Sequence, residues 1–343
     1  APKAGALPDC ATPRLKCESA LCRKKNGSAI VWAIFFENPL SLALSNEMLV
    51  GTIKNYFMSE KKGNSMKWLC AGRELDLSFP LIMGIVNVTP DSFSDGGEHD
   101  DCDAAVKHAL KLLDEGADIL DIGGESTRPG AAEVSEKEEL RRVIPVVEAL
   151  AATGATISVD TSKPLVIKEA VKAGAHIIND IRALCLPGAL QAAAETDAGI
   201  CLMHMQGDPQ SMQEKPTYKN LLQEVESFLL NRAAELEKVG IDSSRICLDY
   251  GFGFGKTVEQ NFTLLANTAR FARLPYPLLV GLSRKSSLGA VTGRGVHDRL
   301  VSSVTGALLA AQRGASILRV HDVAATRDAF TIWRMTVSQT QKE

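Results

Sequence analysis

The chain has 343 residues, of which 45% are hydrophobic and 23% are charged, and its formal net charge at pH 7 is −3. A chain of this length holds one large α/β domain or two ordinary domains, and its hydrophobic share is typical of globular proteins. The net charge gives no electrostatic reason to bind nucleic acid, no apolar run reaches the roughly 18 residues of a membrane helix, and 8 cysteines without a Cys-x-x-Cys pair favour a reducing cytoplasm over secretion.

Residues 1–65 differ in character from the rest of the chain. They mix Pro, Cys, Lys and Arg around one short apolar run, 29–36, and show no sustained hydrophobic period. Asp9 and Glu18 argue against a transit peptide, because such peptides are poor in acidic residues. We therefore expect a poorly ordered N-terminal extension over residues 1–65, with Met66 as the natural first residue, and one folded domain over residues 66–343.

From residue 66 onward, strand-like and helix-like segments alternate. Residues 67–78 suit a small β-hairpin, and apolar spacing of three and four predicts the later helices. Continuously hydrophobic strand runs, rather than alternating ones, indicate a sheet covered on both faces. The predicted strands are 81–87, 117–123, 156–161, 176–180, 199–205, 245–250, 276–283 and 316–322, and the predicted helices are 102–116, 137–152, 164–174, 221–240 and 298–314.

This alternation predicts an α/β fold. Eight strand–helix units within about 250 residues are typical of a (β/α)8 TIM barrel, here with a short N-terminal hairpin. An open doubly wound sheet explains the strand runs equally well and is the alternative. Two domains are less favoured, because no linker is recognisable after Met66.

Polar residues recur at the carboxyl ends of the predicted strands, which converge on one mouth in a barrel. A single residue of this kind is more often a turn former or a helix cap than a ligand contact. Recurrence at every strand, with basic residues after the last two, favours a binding site. The residues are Asn87, Asp121, Asp160, Asn179, Asp180, His204, Asp249, Ser283, Arg284, Lys285, Arg319 and His321.

The residue types predict the ligand. Asp160, Asn179 and Asp249 offer carboxylates and an amide to a ring edge that carries adjacent N–H and carbonyl groups. Buried groups of this kind reject ligands that would leave them unpaired. The basic residues after strands seven and eight occupy the usual phosphate position of this fold. We therefore predict a flat, polar-edged heterocycle with an anionic group nearer the rim.

The run "GFGFGKT" at 251–257 ends like a phosphate-binding P-loop. A P-loop requires a glycine five places before Gly255, and that position is Tyr250, so a nucleotide-dependent enzyme is not favoured. We expect the glycines to let Phe252 or Phe254 approach a planar ligand.

Two long loops, 87–100 and 123–136, follow the first two predicted strands. Both are rich in Gly, Pro, Ser and Asp, and they carry Asp91, Ser92, Thr127 and Arg128. Reactive groups on flexible backbone suit lids that close over the mouth.

Eight motifs resemble those of the bacterial dihydropteroate synthases of the pterin-binding family, over Met66 to about residue 335. They are "GIVNVTPDSFSDGG", "DIGGESTRPGA", "SVDTSKP", "GAHIINDI", "CLMHMQGDPQSMQ", "GFGFGK", "GLSRKSSLG" and "RVHD". The resemblance implies a TIM-barrel transferase that condenses dihydropterin-CH2-diphosphate with 4-aminobenzoate to 7,8-dihydropteroate and diphosphate in folate biosynthesis. It also implies Mg²⁺ as cofactor, a cytoplasmic homodimer, and competition by sulfonamides, which imitate aminobenzoate.

The resemblance further implies how the pterin is held. Asp160, Asn179 and Asp249 would hydrogen-bond its edge, with Lys285 reaching the ring near N5 and O4. The side chains expected to line the slot are Met203 and Phe254. Of the site residues, we expect Lys285, Arg319 and Asp160 to be catalytic.

The remaining roles concern the diphosphate and the aminobenzoate. Asn87 would ligate Mg²⁺ through its amide oxygen, and Arg319 and His321 would bind diphosphate beside it. Thr127 would also contact the pterin substrate. The residues expected to shape the aminobenzoate site are Thr127, Arg128, Pro129 and Ser286.

One position departs from the family pattern. The family usually has Asp-Pro-Gly where this chain has Asp249, Tyr250 and Gly251. Losing the proline predicts a looser turn behind Asp249 and weaker pterin binding.

Two alternatives share the barrel and the pterin edge. A corrinoid-type methyltransferase needs no diphosphate site, so the basic residues and both long loops disfavour it. A non-catalytic pterin-binding paralogue is disfavoured by intact Asn87, Lys285, Arg319 and His321. For the favoured reaction we expect a dissociative route, because the dihydropterin can delocalise a cation at its exocyclic carbon.

Overall fold

The structure, a computed structural model, describes residues 66–88, 98–126, 133–207, 212 and 216–340. The predicted extension over residues 1–65 lies outside these ranges. So do several loop residues with predicted roles, namely Asp91, Ser92, Thr127, Arg128 and Pro129. None of the helices in the described ranges combines the length and hydrophobicity that crossing a bilayer requires.

Parallel strands close into a barrel. Strands β3 to β10 are hydrogen-bonded in chain order, and β10 pairs with β3 to complete the cylinder. The barrel prediction is confirmed and the open-sheet alternative is wrong, since an open sheet would leave two unpaired edges. The strands are β1 (Lys67–Cys70), β2 (Arg73–Asp76), β3 (Leu81–Asn87), β4 (Ile119–Gly123), β5 (Ile157–Asp160), β6 (Ile177–Asp180), β7 (Gly199–Met203), β8 (Ile246–Asp249), β9 (Leu278–Val280) and β10 (Ile317–Val320).

Helices cover the outside of the barrel. The described helices are α1 (Glu98–Asp114), α2 (Glu136–Ala151), α3 (Pro164–Ala173), α4 (Ala189–Ala194), α5 (Leu221–Lys238), α6 (Val258–Ala266), α7 (Thr268–Phe271), α8 (Ser286–Thr292), α9 (Leu300–Gln312) and α10 (Val323–Thr340). Helices α1, α2, α3, α5 and α9 confirm the five predicted ones. The other five were not predicted, and α4, α7 and α8 have at most 7 residues each, too few for a helical period to be recognised.

Helix α6 had a recognisable start signal. Thr257 Oγ1 accepts a hydrogen bond from Gln260 N at 3.2 Å, and Gln260 Oε1 accepts one from Thr257 N at 2.8 Å. This reciprocal pair is a capping box, which satisfies two backbone donors at the helix start. The threonine of the P-loop-like run is therefore a helix cap.

The predicted hairpin, β1 and β2, seals the amino end of the barrel. Trp68 and Cys70 are fully buried in one cluster with residues of the barrel strands, including Met83 and Ile177. Trp68 Nε1 donates to Arg245 O at 2.9 Å, so the indole keeps a hydrogen-bond partner while its ring is buried. Apolar packing fills this end, and the polar strand-end residues gather at the other.

Candidate active site at the carboxyl ends of the strands

Strand register brings the predicted pterin-edge residues to the same end of the barrel. Asn87 pairs with Gly123, Gly123 with Asp160, and Asp160 with Asn179, across β3 to β6. On the following strands Met203 pairs with Asp249. Residues far apart in sequence are therefore grouped at the end where active sites of this fold are built.

Arg319 joins two carboxylates at this mouth. Its Nε donates to Asp121 Oδ2 at 2.5 Å, and its Nη2 donates to Asp160 Oδ2 at 2.9 Å. Asn179 Nδ2 donates to the same Asp121 oxygen at 3.1 Å. Asp121 is fully buried, and its Oδ1 has no hydrogen-bond partner among the described residues. The sequence placed Asp121 at a strand end but gave it no role, and the structure shows it linking Arg319 to Asn179.

One guanidinium shared by two carboxylates has electrostatic consequences. Burial raises the pKa of Asp160 to about 7, and the neighbouring charge of Asp121 adds to this effect while Arg319 opposes it. Burial alone would lower the pKa of Arg319, but Asp121 and Asp160 raise it above its ordinary value. The guanidinium therefore keeps its charge, and the Asp160 carboxyl exchanges its proton near neutral pH.

Lys285 bends over the loop that follows β8. Its Nζ donates to Phe252 O and lies 4.4 Å from the centroid of the Phe254 ring. Burial lowers the pKa of Lys285 to about 8, although the charge of the nearby Asp249 carboxylate acts to raise it. Asp249 is buried, and its Oδ1 accepts a hydrogen bond from Gly251 N at 2.7 Å. A cation that titrates in mild alkali thus lies beside a buried carboxylate and an aromatic face.

An apolar slot lies next to these polar groups. Met203 and Phe254, both predicted as lining, are buried together in one cluster. The cluster also contains Ile181 and Met212, which the sequence analysis did not single out. The other predicted alternative, Phe252, is fully buried and packs edge-to-face against Phe262 at 6.2 Å. Phe254, with Lys285 over its ring, is therefore the aromatic residue of the mouth.

Not all of the basic residues after β9 and β10 are free to bind an anionic ligand. Arg284 was predicted to belong to the cationic cluster, but its Nε and Nη2 donate to Asp322 at 3.0 and 2.5 Å. His321 Nδ1 lies 3.0 Å from Ser283 Oγ, and the imidazole is half-buried at the rim. The charge of Arg284 is neutralised by Asp322, whereas Lys285 lies near Asp249 and Arg319 pairs with Asp121 and Asp160.

The two remaining predicted residues with described positions lie at the rim. Asn87 is half-buried at the end of β3, and its amide has no hydrogen-bond partner among the residues that the structure describes. Ser286 is exposed at the first position of α8. Thr127, Arg128 and Pro129 belong to the ranges that are not described.

The residue that replaces the family proline is anchored by packing. Tyr250 is fully buried, its hydroxyl lies 3.2 Å from Thr268 Oγ1, and its ring contacts Phe271 with centroids 5.4 Å apart. These contacts oppose the predicted loosening of the turn behind Asp249, and the predicted loss of pterin affinity stays a prediction.

Comparison with known proteins gives consistent matches over this part of the chain. The family model described as pterin binding enzyme matches residues 83–321. The dihydropteroate synthase of Escherichia coli K12 is 55% identical over 274 residues, which cover 80% of this chain and 97% of that protein. Two solved structures also match. The Yersinia pestis dihydropteroate synthase with a sulfonamide drug complex is 51% identical with a TM-score of 0.76, covering 80% of this chain and 100% of that one. The Xanthomonas albilineans dihydropteroate synthase with 4-aminobenzoic acid is 54% identical with a TM-score of 0.76, and the match covers 80% of this chain and 98% of that one.

Proposed function

This chain belongs to the pterin binding enzyme family and, within it, to the dihydropteroate synthases, and we propose the roles of its site residues on this basis. It is a transferase that condenses (7,8-dihydropterin-6-yl)methyl diphosphate with 4-aminobenzoate, forming 7,8-dihydropteroate and diphosphate in folate biosynthesis. The chain is 55% identical to nearly the whole Escherichia coli enzyme, so the two alternatives, a corrinoid-type methyltransferase and a non-catalytic paralogue, are not favoured.

The observation that supports the residue roles is the polar layer beside the apolar slot. Asp160, Asn179 and Asp249 present carboxylate and amide groups at the same end of the barrel, and the N–H and carbonyl groups of a pterin edge complement them. Met203 and Phe254 offer apolar contact to the flat ring. A ligand lacking the ring N–H groups leaves buried acceptors unpaired, which disfavours its binding.

A direct assay tests this function. The protein incubated with both substrates and Mg²⁺ is expected to release dihydropteroate and diphosphate in equal amounts, measured by chromatography and a phosphate assay. Binding of the pterin without any coupled product would contradict the assignment.

We propose that bond breaking precedes bond making in this site. The bond between the exocyclic carbon and the diphosphate oxygen breaks first, and the electron pair leaves with diphosphate. Arg319 and His321 donate hydrogen bonds to the departing anion. The dihydropterin delocalises the resulting cation, and the weakly nucleophilic aromatic amine then attacks this strong electrophile and releases a proton.

Asn87 fits a role in holding Mg²⁺. Its amide oxygen is a ligand type that Mg²⁺ accepts, and this ion is usually bound by one or two protein groups together with substrate phosphates and water. The half-buried amide at the end of β3 has no other partner among the described residues. Bound there, the ion would neutralise charge on the diphosphate.

We expect removal of Mg²⁺ to stop the reaction. In excess EDTA the diphosphate charge lacks its counterion, so diphosphate release should fall to background and recover when Mg²⁺ is restored. Asn87→Ala should raise the Mg²⁺ concentration for half-maximal rate by about tenfold. Diphosphate release at the normal rate in EDTA would refute the magnesium role.

The two titrating groups predict a bell-shaped pH profile of kcat/KM for the pterin substrate. Below the pKa of Asp160, about 7, the carboxyl is protonated and loses an anionic acceptor. Above the pKa of Lys285, about 8, the amine loses its charge. In Lys285→Arg the alkaline limb should disappear, because a guanidinium does not titrate in this range. An unchanged alkaline limb in that variant would show that another group is responsible.

We propose that 4-aminobenzoate binds after the pterin substrate, beside Ser286 at the start of α8, with Thr127, Arg128 and Pro129 completing its site. Sulfonamides would occupy the same place. The support comes from the similar Xanthomonas enzyme with 4-aminobenzoic acid and from the similar Yersinia enzyme with a sulfonamide. The exposed position of Ser286 suits a substrate that enters second, from the rim.

We propose that the enzyme is a homodimer. Helices α8, α9 and α10 carry exposed large apolar side chains, and exposed patches of this kind often mark protein interfaces. They include Val291, Val301, Ile332 and Met335. Light scattering should give twice the chain mass of 36.8 kDa, and Val301→Glu should shift the protein towards that monomer mass. A wild-type chain that remains monomeric at micromolar concentration would exclude this assembly.

We propose a cytoplasmic location. Within the described ranges the cysteines are free thiols, and Cys185 is exposed to solvent. Exposed free thiols persist in reducing compartments and are uncommon in secreted proteins.

A further inference from the structure

We propose that Lys256 is a positioning residue for the pterin substrate, because it holds the Asp249–Phe254 segment in its binding geometry from beneath. The inference rests on the proposed roles of Asp249 and Phe254 in pterin binding. Lys256 is the lysine of the "GFGFGKT" run. Once a P-loop was excluded there, this lysine had no assigned role.

Lys256 is enclosed by hydrogen-bond acceptors. Its side chain is only 2% exposed, and its Nζ lies 3.1 Å from His204 Nδ1 and 3.2 Å from His204 O. The same nitrogen lies 2.9 Å from Gly251 O and 2.8 Å from Phe254 O. Burying an amine is unfavourable unless partners satisfy it, so the four acceptors explain how the chain tolerates it here. A lysine placed in this way is directed into the protein and away from any phosphate at the mouth.

These acceptors come from two different loops. His204 directly follows β7, whereas Gly251 and Phe254 lie in the loop after β8. The loops also touch elsewhere, because Tyr218 donates from its hydroxyl to Gly255 O at 2.7 Å. Lys256 bonds to both loops and therefore cross-links them.

The backbones of the two loops approach so closely that side chains are excluded. A Cβ atom at Gly251 would lie 1.9 Å from His204 O, and one at Gly255 would lie 2.5 Å from Gln206 O. Both glycines have positive φ, at 66° and 62°. A conformation this restricted needs interactions that hold it in place, and the amine of Lys256 supplies them at the point of closest approach.

His204 is suited to accept from the lysine. Burial, and then the charge of Lys256, lower the pKa of His204 to about 3, so the imidazole is neutral at physiological pH. Its ring packs edge-to-face on Phe228, with centroids 5.0 Å apart. The neutral ring is held in place and offers its Nδ1 lone pair to the lysine.

The segment that Lys256 holds, Asp249–Phe254, contains residues of the proposed pterin site. Gly251 N donates to Asp249 Oδ1, and Phe254 O accepts from Lys256. Lys285 donates to Phe252 O in the same segment. Loss of Lys256 should therefore allow Asp249 and the Phe254 ring to shift, which weakens pterin binding before it affects the second substrate.

Titration of the intact enzyme with the pterin diphosphate and Mg²⁺, without aminobenzoate, tests the proposal. For Lys256→Met we expect a dissociation constant about tenfold to hundredfold higher than that of the wild type, the scale of effect that a displacement of about 1 Å produces. The KM for aminobenzoate at saturating pterin substrate should stay within about twofold. If Lys256→Met does not fold, Lys256→Gln, which keeps two donors, should bind with intermediate affinity.

A matched control separates positioning from stability. Trp68→Phe removes a buried donor at the opposite end of the barrel and leaves the acceptors of Lys256 in place, so it should lower the Tm and keep the wild-type dissociation constant. Wild-type pterin affinity in the lysine variants would overturn the inference. Wild-type affinity in Asp249→Asn would instead overturn the proposed pterin site, so the two failures are distinguishable.

Discussion

Replacing Lys285 with alanine is expected to lower kcat at least 10²-fold, which corresponds to a loss of about 3 kcal/mol of transition-state stabilisation. The reason is the position of the ammonium, which lies over the Phe254 ring and near the Asp249 carboxylate before any substrate binds. A charge held in place in this way needs no reorganisation when the reaction begins. Water that enters in place of the side chain cannot reproduce it.

The neighbouring basic residue offers a matched control for Lys285. Arg284 lies in the same strand-end loop, but its guanidinium is paired with Asp322, so Arg284→Ala should change kcat less than about tenfold. Steady-state rates at saturating substrates, with circular dichroism to verify folding, measure both variants. Wild-type kinetics in Lys285→Ala would refute the catalytic role.

Replacing Arg319 with leucine is expected to destabilise the protein and also to abolish turnover. The substitution leaves the fully buried Asp121 without its ion-pair partner, and breaking a buried pair in this way typically costs about 3–5 kcal/mol of unfolding free energy. It also removes the donor proposed for diphosphate and releases Asp160. Urea denaturation measures the stability, and the diphosphate assay measures the activity.

Two further variants separate the loss of stability from the loss of turnover. Arg319→Leu combined with Asp121→Asn should recover part of the stability, because the unpaired charge is gone, but none of the turnover. Arg270→Leu breaks an exposed pair with Glu226 and should cost less than about 1 kcal/mol. Equal stability losses in the Arg319 and Arg270 variants would show that the buried charge does not matter.

The architecture was predictable because its signals are local. Several barrel strands, such as Ile157–Asp160, are short apolar runs that end in a polar residue, and glycines end many of the helices between strands. The three shortest helices that the sequence did not predict, α4, α7 and α8, lack such signals. Helix α4 is a six-residue, alanine-rich segment, too short to show a period.

The site was predictable in position but not in connectivity. A residue at a strand end must lie at the mouth, and this locates Asp160, Asn179 and Asp249 without coordinates. Which groups pair depends on distances between strands, so the link from Asp121 to Arg319 and the pairing of Arg284 with Asp322 appeared only in the structure.

The substitution at Tyr250 shows the same limit. The sequence reports the loss of a proline and hence a more flexible turn. It does not report the tertiary packing that replaces it, namely the contacts of the tyrosine with Thr268 and Phe271. Contacts that oppose the predicted loosening therefore became visible only in the structure.

A crystal structure of the protein with the pterin diphosphate bound is the most direct test of the account. We predict that the polar edge of the ring lies within hydrogen-bond distance of Asp160, Asn179 and Asp249, and that its flat faces contact Met203 and Phe254. A pterin bound away from the carboxyl ends of the strands, with these five side chains free of it, would contradict the account.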